Sequence, residues 1–297
     1  MKRSLLLFFF FFFAKLAFPQ IGIVNQYHLN YLAINPALAG ENSPFTLKGI
    51  LGNQFNGSIR LNEVNQILVL DGQLYNKSGL AFQGYRNNSG NIISTGLGFS
   101  YAKGIELGEL KLKFGANGGI FIQPNLLAAN LSQRVLPHSG LGVLGSYKGA
   151  FLGVSNPMLI SSRKIGEQKP LFVNIGYIYD TESIIGLNAN VLYYHDFQTK
   201  RESYDLNLKG TFNSRLGLGL SYRANRLYVN GSSKPTLIPF VEYKATRTMS
   251  FALSYDSNPT RMDSPNAPNL ALGGVFQFML KYNNDDTGGD SWFFGKF

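Results

Sequence analysis

The 297-residue sequence contains no cysteine, which removes disulfide scaffolds, iron–sulfur centres, thiolate zinc sites and lipid attachment through an N-terminal cysteine. Charge is scarce, at 15% for Asp, Glu, Lys and Arg together. Histidine is scarcer still: His28, His138 and His195 are scattered, and without an Asp-rich loop they suggest no metal site and no cofactor. After the first residues no apolar run approaches the about 20 residues of a membrane-spanning helix. What is abundant is 33 Gly, 24 Phe and 16 Tyr. Glycine stands well above its usual share of about 7%, and it sits inside strand-like stretches as well as at turns.

The N-terminus is built differently. Lys2 and Arg3 precede an unbroken apolar run from Leu5 to Ala14 that includes six consecutive Phe. A charged start followed by a short apolar run is the pattern of a secretory signal peptide. We assign it to residues 1–20, with cleavage between Ala17 and Gln20. The precursor charge of +10 falls to +7 once Lys2, Arg3 and Lys15 are removed. With no basic helix or cluster, that excess is better suited to a polar lumen or anionic lipid headgroups than to nucleic acid.

Period-two alternation dominates the remainder. Leu216, Leu218, Leu220 and Tyr222 alternate with Gly217, Gly219 and Ser221. Phe276, Phe278, Leu280 and Tyr282 oppose Gln277 and Lys281, and Leu110, Leu112 and Phe114 oppose Lys111 and Lys113. A strand sorts such residues onto two faces, whereas a helix scatters them. Fourteen segments follow this rule: 45–55, 65–75, 78–87, 91–103, 108–122, 139–148, 150–156, 170–180, 183–197, 201–213, 215–225, 235–245, 248–256 and 269–282. Short connections (76–77, 104–107, 149, 181–182, 214, 246–247) alternate with mostly longer ones (56–64, 88–90, 123–138, 157–169, 198–200, 226–234, 257–268).

Even strand number and short–long alternation define an all-β, antiparallel transmembrane β-barrel of the outer membrane, with both termini periplasmic. The expected layout is a signal peptide (1–20), a periplasmic or plug segment (21–44), the barrel (45–282) and a periplasmic tail (283–297). The tail is assigned because Asp285 and Asp286 would be driven toward hydrocarbon if the last strand continued. Most prolines fall in expected loops, Pro137 and Pro157 among them. Pro239 falls inside a strand, where its missing N–H is hardest to place.

Two motifs suggest chemistry and are set aside. Gly140-Leu141-Gly142-Val143-Leu144-Gly145 matches a dinucleotide-binding pattern, but Ser146-Tyr147-Lys148 continue in strand register where a helix would have to begin. His195-Asp196 suggests a general base with an orienting carboxylate, yet adjacent strand residues point to opposite faces. No nucleophile stands out, and no enzyme is expected. Tyrosines near strand ends, such as Tyr75, Tyr147 and Tyr282, fit interfacial girdles.

Ahead of the first strand lies the run from Asn25 to Gly40, with Gln26-Tyr27 followed by Asn35-Pro36-Ala37-Leu38-Ala39-Gly40. Asn35-Pro36 favours an extended residue and then a helix start, and Ala37 to Gly40 allow one turn ended by glycine. The apolar character of Gln26 to Gly40 predicts that it enters or seals the periplasmic side of the barrel. This segment resembles the N-terminal signature of the PorP/SprF family of type IX secretion system membrane proteins, the matching residues being Gln26, Tyr27, Asn35, Pro36, Ala37, Ala39 and Gly40.

Gly52-Asn53-Gln54-Phe55 is similar to the family's Arg-Asn-Gln-Trp strand end, departing from it at Gly52 and Phe55. Phe151 to Pro157, Leu216 to Arg223 and Ala252 to Asp256 resemble later family strands. The resemblance implies a barrel that works with type IX secretion machinery and assists secretion or surface attachment of a cargo protein such as a gliding adhesin, without catalysis or cofactor. Cargo contacts are expected on extracellular loops, at Arg134, Arg163, Lys164, Arg226, Lys234 and Arg261. The alternative is a passive or substrate-selective pore, for which lumen-side Lys111, Lys113, Lys209 and Lys281 would favour anions.

Overall fold

The computed structural model describes residues 24–41, 44–54, 63–89, 92–124, 133–161, 169–179, 184–197, 201–225, 235–257 and 274–284. The expected signal peptide and residues 285–297 of the expected tail lie outside them. The first seven strands are β1 (Thr46–Gln54), β2 (Glu63–Leu74), β3 (Ser78–Ser89), β4 (Ile92–Leu107), β5 (Leu110–Pro124), β6 (Gln133–Tyr147) and β7 (Ala150–Ser161). The second seven are β8 (Pro170–Tyr179), β9 (Ile185–Asp196), β10 (Arg201–Phe212), β11 (Leu216–Asn225), β12 (Thr236–Lys244), β13 (Met249–Asp256) and β14 (Val275–Asn283). Each strand pairs antiparallel with its neighbours in sequence, and β14 returns to pair with β1 from Thr46↔Asn283 to Gln54↔Val275. Closure gives every strand a partner on both sides, the condition for placing backbone polar groups in hydrocarbon.

Alternation sorts the side chains as the sequence predicts. In β14, Phe276, Phe278, Leu280 and Tyr282 face outward, while Val275, Gln277, Met279, Lys281 and Asn283 face the lumen. In β11, Leu216, Leu218, Leu220 and Tyr222 form the exposed row and Ser221 and Arg223 are buried inside. Exposed tyrosines gather near the tight turns (Tyr75, Tyr101, Tyr147, Tyr243, Tyr282). A second aromatic set lies toward the other rim, where Tyr193 packs on Tyr204 at 4.9 Å and Tyr255 on Phe276 at 4.6 Å. An apolar band between two aromatic girdles is the exterior of an outer-membrane barrel.

Described connections at one rim are tight: Leu74 pairs with Ser78, Leu107 with Leu110, Tyr147 with Ala150 and Phe212 with Leu216. These turns use left-handed residues, including Gly108 (φ 65°) and Gly149 (φ 87°), which match the twist of the strands they join. The turn expected at 104–107 therefore lies at 108–109 instead, where Gly108 supplies the required φ. Connections at the opposite rim include the longest, between Asp256 and Val275.

Three boundaries differ from the sequence reading because prolines are accommodated in the sheet. β5 and β6 extend through much of the expected 123–138 loop, so Arg134 is paired with Gln123 in the wall, not carried on a loop. Pro137 faces Ile120 next to a register shift between Ser139 and Leu141, where an irregular ladder spares its missing N–H. Pro157 lies within β7 beside the same bulge, and a Cβ on Gly140 would overlap it. Pro239 pairs with Leu220 of β11, and the described ladder to β13 starts one residue later, at Phe240↔Ser254. The described closing strand runs Val275–Asn283, and residues 269–273 of the expected segment are outside the described set.

Candidate functional site: a segment seated in the lumen

Between residues 24 and 41 the chain folds into three 3-10 turns, Val24–Leu29, Tyr31–Ala33 and Pro36–Leu38, inside the barrel. Asn35 begins the last turn: its Oδ1 accepts from the Ala37 N–H at 2.9 Å, and Pro36 occupies the first position, where a missing N–H costs nothing. The Asn35 Nδ2 donates outward to the Val143 carbonyl of β6 at 3.2 Å. One side chain thus caps the turn and fastens it to the wall.

The 3-10 bonds satisfy only part of this segment's backbone, and lumen side chains satisfy further carbonyls and N–H groups. Lys48 Nζ donates to the Leu29 carbonyl at 3.0 Å, Ser155 Oγ to that of Ile34 at 2.6 Å, and Lys113 Nζ to that of Ala39 at 2.8 Å. Lys113 also meets Glu41 at 2.9 Å, an ion pair with almost no solvent exposure. The Gly40 N–H donates to Asp71. Removing one member of such a buried pair strands the other, which is far costlier than losing a surface contact.

The wall is shaped to match. A Cβ on Gly115 would overlap the backbone of Pro36 and Ala37, one on Gly142 the Asn35 side chain, and one on Gly79 the backbone of Ala39 and Gly40. Gly40 itself has φ 69° and approaches Gly79 as closely. Ala37 and Ala39 are fully buried (0% exposed), so no larger side chain fits there. The spacing of Asn-Pro-Ala-x-Ala-Gly is the imprint of this groove: a cap, a proline at the turn start, two residues without bulk and a left-handed exit.

Nearer the N-terminus, Tyr27 is 1% exposed and rests among Ile34, Phe172, Leu192 and Tyr194. Asn207 Nδ2 donates to the Tyr27 hydroxyl at 3.0 Å and to Asn190 Oδ1 at 2.9 Å, and Asn190 donates to the Tyr31 hydroxyl at 3.2 Å. Arg223 lies 5.9 Å from the Tyr27 ring centre and pairs with Asp205 at 2.9 Å and Asp256 at 3.7 Å. Burial pushes the Tyr31 hydroxyl up to about 12. Burial and then the Arg223 charge push the His28 imidazole down to about 3.

Of the residues singled out from sequence, Tyr27, Asn35, Pro36, Ala37, Ala39 and Gly40 come together in this one seat. Gln26 lies in the first turn. Arg134 lies at the start of β6, in the ladder to β5, and Arg163, Lys164, Arg226, Lys234 and Arg261 are outside the described residues. Sequence reading put Lys113 and Lys209 on the lumen face without showing what they hold, and it missed Lys48, Ser155 and Arg223. The available signal was polarity at inward positions of otherwise apolar strands. His195 pairs with Glu202 at 3.3 Å and Asp196 is buried on the opposite face, so the two do not form a dyad.

A closed antiparallel barrel with an apolar exterior and its own N-terminal segment in the lumen defines a plugged outer-membrane barrel. The chain belongs to the family of type IX secretion system membrane proteins PorP/SprF, whose family model matches residues 17–282. No curated protein matches it. Among solved structures, the outer membrane protein Omp33 of Acinetobacter baumannii aligns with a TM-score of 0.51 at 9% identity, over 82% of this chain and 99% of that one. Outer membrane phospholipase A from Escherichia coli gives 0.43 at 9% identity, over 80% and 92%. The KdgM porin gives 0.35 at 9% identity, over 80% and 98%. At these identities the likeness to Omp33 shows the fold alone.

Proposed function

We propose that this protein is a non-conducting outer-membrane partner of type IX secretion that assists the secretion or surface attachment of one cargo protein, of the gliding-adhesin kind. The observation that carries the reading is the family motif itself: six of its seven residues are seated inside the lumen, which suits a docking scaffold better than a passive pore. The plug joins β1 at the rim of tight turns, where β14 also ends, which supports a periplasmic location for that rim and for the C-terminus. The long connections then face outward, and recognition on a rigid scaffold usually resides in such loops. Arg163, Lys164, Arg226, Lys234 and Arg261 are the residues proposed to contact cargo there, while the apolar belt meets outer-membrane lipid. Catalysis has no part in this reading.

The plug also floors a cavity on the loop side, lined by Leu32, Pro36, Tyr85, Phe121, Met158 and Phe172, which would suit an apolar element of a cargo domain. The test is affinity purification of the tagged protein from its native host, with trimming of 226–234 and 258–273. One secreted protein should co-purify and lose surface retention in the trimmed variants while the barrel still assembles. Unchanged secretion and retention in every variant sinks the proposal.

A further inference from the structure

On the turn side of the plug lies a second cavity, bounded by His28 to Leu32, Leu38 and Glu41 of the plug and by Lys48, Asp71, Lys209, Glu242 and Lys281 of the wall. Its three carboxylates are engaged: Glu41 by Lys113, Asp71 by the Gly40 N–H and Glu242 by Lys209. Among the described residues, Lys48 and Lys281 have no acidic partner within ion-pair distance. They are register partners across the β1–β14 closure, and each is 8% exposed. Like charges directly opposite each other in a sheet destabilise it, and buried cations without a counter-charge cost more again. Lys48 uses one of its three donors on Leu29, and Lys281 makes no hydrogen bond among the described residues. Asn30, another lining residue, has a buried Nδ2 with no acceptor. Counting Lys113, four lysines face three carboxylates, and the unmet groups of Lys48, Lys281 and Asn30 are donors.

We propose that this cavity is a binding site for a small soluble oxyanion, a phosphate or carboxylate group held between Lys48 and Lys281. The anion supplies the missing negative charge at the seam where the barrel closes and, through Lys48, ties that seam to the plug. This rests on the seated plug alone, so it stands or falls apart from any cargo role.

The experiment is calorimetric titration of the purified full-length barrel in detergent with orthophosphate and, separately, succinate, at constant ionic strength with chloride as the balancing salt. Expected is saturable 1:1 binding of at least one of them, weakened about tenfold or more in Lys281→Gln, the loss of one charge-assisted hydrogen bond. Lys111→Gln, which leaves the cavity unchanged, should bind as wild type. The oxyanion that binds identifies the source. Should Lys281→Gln fail to show heat-modifiable migration, Lys48→Gln serves in its place with the same expected loss. Absence of saturable binding by both oxyanions, or equal binding by the folded lysine variant, overturns the proposal.

Discussion

His28 occupies a place in the plug where neither ring nitrogen has a partner, its ring 5.5 Å from Phe240 and Arg223 adding positive potential. The seated imidazole has a pKa of about 3 against 6.5 when free, so only the released plug takes up a proton near pH 5. Seating is therefore at full strength above about pH 6.5 and is lost as pH falls toward 3, by about 2 kcal/mol at pH 5. Planar-bilayer conductance should rise between pH 6.5 and 5, and His28→Leu should hold it flat. Equal acid opening in both proteins would remove His28 as the cause. Glycine at 115 is as restrictive for a different reason: the atoms a Cβ would meet are plug backbone, which cannot swing aside as a side chain would. Gly115→Ala should leave heat-modifiable migration intact while raising basal conductance, and a variant that folds and stays closed would show that the groove has slack.

Among the elements, β14 carries the closure. Its outward row of Phe276, Phe278, Leu280 and Tyr282 faces hydrocarbon, and its inward row pairs with β1 over its whole length. Phe278→Asp with Leu280→Asp places two carboxylates in lipid at a cost on the order of 2 kcal/mol each, and the double variant should fail to insert. Ending the chain after Asn284, whose N–H still reaches the Phe45 carbonyl at 2.9 Å, should yield a folded barrel. Loss of insertion in that truncation would move the assembly signal into the aromatic C-terminal end, Trp292 to Phe297.

For the whole molecule, the plug decides between scaffold and pore. Deleting 21–40 removes the partners of Lys48, Lys113 and Ser155 and vacates the lumen, so conductance should rise from closed to porin-like with the barrel still assembled. A wild-type protein that already conducts like an open porin would favour the pore instead. An N-terminal tag, placed after the cleavage site, should stay inaccessible to antibody in intact cells, and surface labelling would invert the topology.

Fourteen alternating segments were legible because a strand's period of two is written locally, in pairs such as Leu218 and Gly219. The family motif was legible because five of its seven residues stand together in the chain, at Asn35 to Gly40. Ladder irregularities were not: Pro137 and Pro157 read as loop residues because their tolerance depends on a bulge formed with a neighbouring strand. The partners of the motif were hidden for the same reason. Lys113 and Ala39, or Ser155 and Ile34, are far apart in sequence, and which lumen side chain meets which carbonyl follows from barrel register and closure. Local periodicity thus set the wall and its orientation, while only the closed tertiary structure could turn an apolar leader into a plug.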